Sequence, residues 1–430
     1  MICWCVATSL ILTFIPITFS EPNLNIITYP VGHGDAFLLE CYDEGTAKIG
    51  ITLIDGGSVS IGKGEILTEY IRFITNKLRD PKFRLENIIL TIPNEGHYGF
   101  IRHILDLIRD EETEKIKFYV GGSRHSYADL ELATKYDSNV FEFTRMNEDG
   151  GSLSSCGHYP WGDTKRGFFN CVKRNSKGPI PGSSGVIDIC KSYQISVLAA
   201  NFGLSHEFSG QINSTDSKYK NSLILKLTPS GRADPSMLLM GAFENEDMSM
   251  RDKSSGDAYY NYIKGTHWHY VSRPTTPIQI SHGLKSTLLV LPQHGADTIY
   301  NVDQHFFGDY VKPTYAIVSS DVHNTYGNPK CKVVKALNLY MRQFAVREKE
   351  LQCHVSEESE IEEGRNHTVG QKRQQLSKDL IHSILCAENI FQTTTIDAKN
   401  AALQFNLIAF SMNRETVVPT SFLNIFNKIL

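Results

Sequence analysis

Between residues 25 and 125 the chain alternates strand-like and helix-like segments, which restricts it to a layered α/β architecture. NIITYPVG, AFLLECY and KIGITLI are rich in β-branched and aromatic residues, and glycines separate them. ILTEYIRFITNKLRD then places Leu67, Tyr70, Ile71, Ile74 and Leu78 on one helical stripe. LENIILTIP returns to strand. GFIRHILDLIRDEE is predicted as a second amphipathic helix, and KIKFYVGG as another strand.

The next stretch is looser. Residues 147–167 and 175–185 read as loops, and strands resume at VIDIC, YQISVLAANFG, NSLILKLTPSG and SMLLMGAF. These predict a second sheet. STLLVLPQHG and TYAIVSS add strands; 330–350 and the first part of DLIHSILCAENIF read as helices, and ALQFNLIAF as a strand. The expected organisation is a leader at 1–20, one domain at 21–410 with polar insertions at about 245–283 and 354–378, and a tail at 411–430.

The leader is expected from the uncharged apolar run Ile2 to Phe19 before Glu21, which reads as a secretory signal peptide. A signal anchor in the secretory pathway is the alternative, because the run approaches the roughly 20 residues that span a bilayer. A secreted, extracellular chain can oxidise its cysteines. Nine are present, and loss of Cys3 and Cys5 with the leader leaves an odd number. Local spacing pairs Cys156 with Cys171 or Cys190, and Cys353 with Cys386. Asn213-Ser214-Thr215 and Asn366-His367-Thr368 are glycosylation sequons in polar sequence. The net charge of −4 and the lack of a basic stripe give no strong nucleic-acid signal. After leader removal no further membrane span is expected.

Several short motifs share one order with a known family. Val31-Gly32-His33-Gly34-Asp35-Ala36 and Leu53-Ile54-Asp55-Gly56-Gly57 match V-G-x-G-D-A and L-I-D-G-G. Thr91 to Phe100 stands where T-H-x-[HD]-x-D-H-x-G-G would fall. Asn221-Ser222-Leu223-Ile224, Leu238 to Ala242, Gln293-His294-Gly295-Ala296 and Asn324 to Pro329 follow. The chain thus resembles the metallo-β-lactamase superfamily, in the branch that includes the extracellular hydrolase domain of bacterial DNA-uptake (competence) proteins. The resemblance implies an α/β fold: a metallo-β-lactamase-like αββα sandwich of two mixed β-sheets flanked by helices.

It also implies a two-zinc hydrolytic centre, which this sequence does not support. Such a centre needs several nitrogen and oxygen ligands per ion and an open position for water. Ile92 stands at the first histidine and Asn94 at a histidine or carboxylate. Gly96 and Ala242 stand at aspartates, Gln293 and Asn328 at histidines. His97 and His294 remain, as candidate ligands of a single zinc to which His33, His323 or His206 could be added. The plainer expectation is a hydrogen-bonded pair of neutral histidines. Asp55 is expected to organise loops. Asp35 with His33 and His97 is the candidate for metal-free acid–base catalysis. His267 and His269, in the insertion, read as surface residues.

The expected function is a secreted protein that has lost two-metal hydrolysis and binds an unknown protein or small ligand. Its cleft would be lined by Asn94, His97, Tyr98, His294, His323 and Asn328, and suited to a neutral or anionic ligand. No cofactor is then required. The alternative is an extracellular metal-dependent phosphoester hydrolase or nuclease with a rebuilt single-metal site. Convergence of three ligand atoms on one point would favour it. A third reading, a structural surface glycoprotein, rests on export and glycosylation alone.

Overall fold

The computed structural model describes residues 24–42, 48–59, 63–108, 113–146, 152–153, 171–180, 183–200, 222–241, 284–297, 306–320, 324, 326–355, 381–393, 395–396, 404–405 and 408–420. The leader, Asn213, Asn366, His206, His267, His269, His323, Cys156, Ala242 and almost all of both insertions lie outside these residues.

The chain opens with β1 (Leu24–Thr28), β2 (Phe37–Tyr42) and β3 (Ile49–Ile54), followed by helix α1 (Lys63–Arg79) and β4 (Phe83–Leu90). Short helices α2 (Glu95–Tyr98) and α3 (Ile101–Leu105) lead to β5 (Lys117–Val120). Then come β6 (Val140–Met146), β7 (Ser152–Leu153), β8 (Cys171–Asn175) and β9 (Gly178–Pro179). The second run is β10 (Val186–Cys190), β11 (Tyr193–Ala199), β12 (Ile224–Pro229), β13 (Met237–Leu239), β14 (Leu288–Val290) and β15 (Tyr315–Val318). Helix α4 (Cys331–Met341) precedes a hairpin of β16 (Glu348–His354) and β17 (Ile381–Ala387), and β18 (Ile390–Gln392). A small pair, β19 (Thr395–Ile396) and β20 (Gln404–Phe405), precedes β21 (Ile408–Met412) and β22 (Val417–Pro419).

These strands form two mixed sheets. The first runs β22-β21-β1-β2-β3-β4-β5-β6-β8-β9, with β7 on β6. Its strands β3 to β6 are parallel and β1, β2 and β3 antiparallel. The second runs β10-β11-β12-β13-β14-β15-β18, antiparallel to β13 and parallel beyond it.

Side-chain alternation along each strand determines the layers. Leu24, Ile26, Phe37, Leu39 and Ile89 of the first sheet meet Leu225, Leu227, Met237, Leu239, Leu288 and Ile317 of the second in one buried cluster. The intervening residues face outward to helices. Leu38, Leu53, Ile88 and Leu90 pack on Ile66, Tyr70, Phe73 and Ile74 of α1 and on Ile101 and Ile104 of α3. Leu238, Leu289, Ala316 and Val318 pack on Val333, Val334, Leu337 and Met341 of α4. Strands buried on both faces explain the near-continuous apolar runs in the sequence. The result is the αββα sandwich that the resemblance implied.

Helix α1 follows from its stripe and its ends. Glu65 lies in the first turn, Lys77 and Arg79 in the last, which suits the helix dipole. Pro81 follows, where a helix cannot continue. Three expectations are corrected. Residues 348–350 are strand rather than the end of a long helix, because 348–354 pair with 381–387, which were also expected to be helical. Among its described residues the second amphipathic segment supplies the short α3, with Leu107 exposed beyond it. The predicted 402–410 strand is split between β20 and β21.

Two disulfide expectations, Cys353 with Cys386 and Cys156 with Cys190, are corrected, and the alternative of Cys156 with Cys171 rests on a residue outside the described ones. Cys190 bonds Cys41, tying the two sheets together across 149 residues. Cys353 bonds Cys331, and Cys386 is a buried free thiol. Cys171 is also disulfide-bonded. Among the described residues no helix is long and apolar enough to cross a membrane.

Non-reducing peptide mapping is expected to recover Cys41–Cys190 and Cys331–Cys353, with Cys386 alkylated only after unfolding. Replacing both Cys41 and Cys190 by alanine is expected to cost about 2–4 kcal/mol in chemical denaturation, because a long loop is released in the unfolded chain.

Candidate functional site

Both sheets end their parallel strands at the same side of the sandwich. Asp55 follows β3 and Thr91 follows β4; His294 and Ser319 follow β14 and β15. Loops beyond the carboxyl ends of parallel strands are where α/β proteins gather functional side chains. The β1–β2 connection adds His33 and Asp35 at the same edge.

Three of these loops touch backbone to backbone. Asp35 N–H donates to the Gly96 carbonyl at 3.3 Å, Val59 N–H to His33 at 3.0 Å, and Phe100 N–H to Gly56 at 2.8 Å. The approach requires glycine. A Cβ on Gly34 would lie 2.2 Å from the Gly57 carbonyl oxygen, and one on Gly57 would lie 2.2 Å from that of Glu95.

Asp55 is the centre of the polar network. Its φ of 58° turns the chain after β3. One carboxylate oxygen accepts from Thr91 N–H at 2.7 Å. The other accepts from the Thr91 hydroxyl at 2.6 Å and faces His97 Nδ1 at 2.9 Å. Asp35 stands behind the same ring, 3.6 Å from Nδ1. Asp55 and His97 are 1% and 2% exposed.

The second sheet supplies His294 through an uncommon backbone. Gln293, His294 and Gly295 all have positive φ, at 51°, 55° and 79°. For non-glycine residues this costs roughly 1–2 kcal/mol each. His294 Nδ1–H donates to the Ser319 carbonyl at 2.8 Å and lies 3.7 Å from Asp35. The Ser319 hydroxyl donates to the Gly34 carbonyl at 2.8 Å, joining the sheets over the site. His33 leans on His294 with ring centroids 4.4 Å apart, and Tyr326, 57% exposed, stacks on His33 at 4.5 Å.

Titration follows these contacts. Burial opposes a charge on His97, but the Asp55 carboxylate and its hydrogen bond outweigh it and raise the imidazole above its usual value. Burial raises Asp55, and His97 works against that. The two titrate as one unit holding a proton. Burial lowers His294, with Asp35 opposing. Burial, then the neighbouring His294 and His97, hold His33 far below the ordinary range. His97 and His294 are therefore not the hydrogen-bonded neutral pair expected: their rings are 5.5 Å apart and each binds a different acceptor.

Asp35, His97 and His294 are the group, among the described residues, placed to hold a metal ion. One potential ligand atom from each lies within 4.8 Å of the others. Metal-bound histidines commonly donate their second ring nitrogen to a carboxylate or carbonyl. Here Asp55 and the Ser319 carbonyl meet the two Nδ1 atoms, which lie 3.6 and 3.7 Å from Asp35. Two histidines and a carboxylate with an open position suit one zinc, which would polarise a bound oxygen.

A pair of ions does not fit the described residues. Ile92 is apolar and fully buried. Asn94 caps α2, its side-chain oxygen accepting from Gly96 N–H at 2.9 Å. The Asn328 backbone is held by Asn324, whose amide donates to the Asn328 carbonyl at 2.6 Å. Tyr98, expected in the cleft, sits edge-on to Tyr127 at 5.1 Å with its hydroxyl beside Asp129. Sequence reasoning missed Ser319 and the exposed ring of Tyr326. Asn324-Thr325-Tyr326 lay inside a matched motif, which was the available signal for the latter.

No family model and no curated protein matches the chain. Among solved structures, the crystal structure of the metallo-β-lactamase DIM-1 exposed to ceftazidime aligns with 59% of this chain and 83% of that chain. Identity is 10% and the TM-score is 0.24. The likeness is to the metallo-β-lactamase fold. At that level it carries no argument, so the fold stands on the sheets and helices described above and the site on its own geometry.

Nuclear magnetic resonance of the imidazole nitrogens is expected to show His97 titrating above about 6.5 and His33 and His294 below it. By linkage, His97 adds stability that is present below about pH 6.5 and lost as pH rises through its folded value. His33 and His294 act in the opposite sense, losing stability as pH falls below about 6.5. Asp55→Asn is expected to bring His97 down and to cost about 3–5 kcal/mol, the usual loss when one partner of a buried pair is removed.

Proposed function

We propose that this chain is an exported protein of the metallo-β-lactamase-like fold that has lost two-metal hydrolysis and uses the pocket at Asp35, His97 and His294 to bind a ligand or partner. The observation that supports the reading most is the reduced ligand set. Three potential ligands converge, whereas Ile92, Asn94, Gln293 and Asn328 stand where the resemblance puts further ones. Ala242, at the bridging carboxylate, points the same way. Without those carboxylates and imidazoles, little offsets the charge of a second dication.

A second reading is favoured by the convergence itself: a single-metal phosphoester hydrolase. In it Asp35, His97 and His294 hold the ion, and Asp55 and Ser319 orient the rings. Nucleic acid as substrate rests on the resemblance alone.

Elemental analysis of protein purified without chelator separates the readings. The first expects less than one tightly held transition metal per chain. One stoichiometric ion, with phosphodiesterase activity lost in His294→Ala, supports the second. Two stoichiometric zinc ions contradict both.

A further inference from the structure

A second cleft lies at the other end of the sandwich. Thr287 precedes β14 and Thr314 precedes β15, whereas His294 and Ser319 follow those strands. Thr287 and Thr314, with Arg232, Asp234 and the β21–β22 turn, line an open cavity of about 530 Å³. That volume falls in the range of small-molecule sites, roughly 300–1,000 Å³.

Bonds between the lining residues bring both sheets to this one cavity. Arg232, in the β12–β13 connection, donates from Nη1 to the Arg414 carbonyl at 2.9 Å and so holds the β21–β22 turn beside it. Asn413 shapes that turn, its side-chain oxygen accepting from Glu415 and Thr416 N–H at 2.8 Å each. Thr314 and Tyr315 N–H both donate to the Thr287 carbonyl at 2.9 Å, and Ser236 N–H reaches the Thr287 hydroxyl at 3.4 Å. Part of the lining is apolar: buried Val417, and Tyr315, whose ring packs on Phe410 with centroids 5.6 Å apart.

The cleft contains two guanidiniums and two carboxylates, and these are unequally engaged. Asp234 accepts from the Ser236 hydroxyl at 3.0 Å and pairs with Lys285 at 3.4 Å. Arg232 uses one N–H on the Arg414 carbonyl and keeps four of the five that a guanidinium carries. Among the described residues, the side chains of Arg414, Glu415, Thr314 and Tyr315 have no hydrogen-bond or ion-pair partner. Donors therefore outnumber acceptors: Glu415 is the one uncommitted carboxylate beside two guanidiniums and the hydroxyls of Thr314 and Tyr315. Guanidiniums recognise carboxylate and phosphate oxygens through paired N–H donors.

We propose that this cleft binds a small organic oxyanion, a carboxylate or phosphate carried on an apolar body, with Arg232 and Arg414 on the oxyanion and Tyr315 and Val417 on the body. The site is separate from the pocket at Asp35, His97 and His294, which lies beyond the opposite ends of β14 and β15.

The test is titration of full-length protein with benzoate, phenyl phosphate and the neutral benzamide, followed through backbone amide resonances. Benzoate or phenyl phosphate is expected to bind saturably and to shift Thr287, Thr314 and Thr416 while leaving Thr91 and Ser319 in place. The tighter of the two identifies the oxyanion. Benzamide is expected to bind at least about tenfold more weakly. Arg414→Gln is expected to keep the thermal midpoint of the unliganded protein and to weaken the anion about tenfold. Arg232→Gln is expected to weaken it similarly; should loss of its bond to the Arg414 carbonyl unfold the protein, Arg414→Gln decides. Saturable shifts confined to Thr91 and Ser319 would place the anion in the other pocket and overturn the proposal. Equal binding of benzamide would overturn it too, as would undiminished binding by the Arg414→Gln protein. So would the absence of any saturable shift, which would mean a hydrated cleft only. None of these outcomes depends on metal content, so this inference and the proposed function fail separately.

Discussion

The Asp55 carboxylate holds the site together. It accepts from Thr91 N–H, from the Thr91 hydroxyl and from His97 within one buried pocket. Those bonds fix the ends of β3 and β4 and the start of α2 relative to one another. A carboxylate this buried is tolerable only when its lone pairs are met, so Thr91 and His97 are required by Asp55 as much as they depend on it. The side chains that a second metal would need around it are not found among the described residues. The network itself is explained by folding, without reference to chemistry.

The contribution of the second sheet is of another kind. His294 reaches the pocket because Gln293 and His294 adopt left-handed backbone. Strain of this sort persists where the surroundings over-determine it. Gly241, Ser319 and Lys330 supply that restraint through hydrogen bonds to Gln293, His294 and Gly295. A segment with no function could relax to an ordinary turn. Retained strain is the part of the site that fold stability does not account for.

The layered fold was legible because its signals are local. The near-continuous apolar runs of β1 to β4 and the stripe of α1 are written in adjacent residues. The misreadings fall where distant partners decide. Residues 348–354 have helix-forming neighbours, yet pairing with 381–387 makes them strand. Cys41 and Cys190 are far apart in sequence, so local spacing could not join them. At the site, the motifs located His97, His294, Asp35 and Asp55, because each sits beside a glycine turn at a strand end. They could not show that Asp35 lies beside both histidines, since the three come from separate loops. Tyr98 was misplaced because its neighbour in sequence, His97, turns toward Asp55 while its own ring meets Tyr127.

The central claim of the proposed reading is that this sandwich holds at most one metal ion, at Asp35, His97 and His294. Anomalous diffraction at the zinc edge, from crystals grown with excess zinc, tests it most directly. The account predicts at most one peak within the pocket, lying among Asp35, His97 and His294. Two peaks there, about 3.5–4 Å apart as in two-metal enzymes, would contradict it.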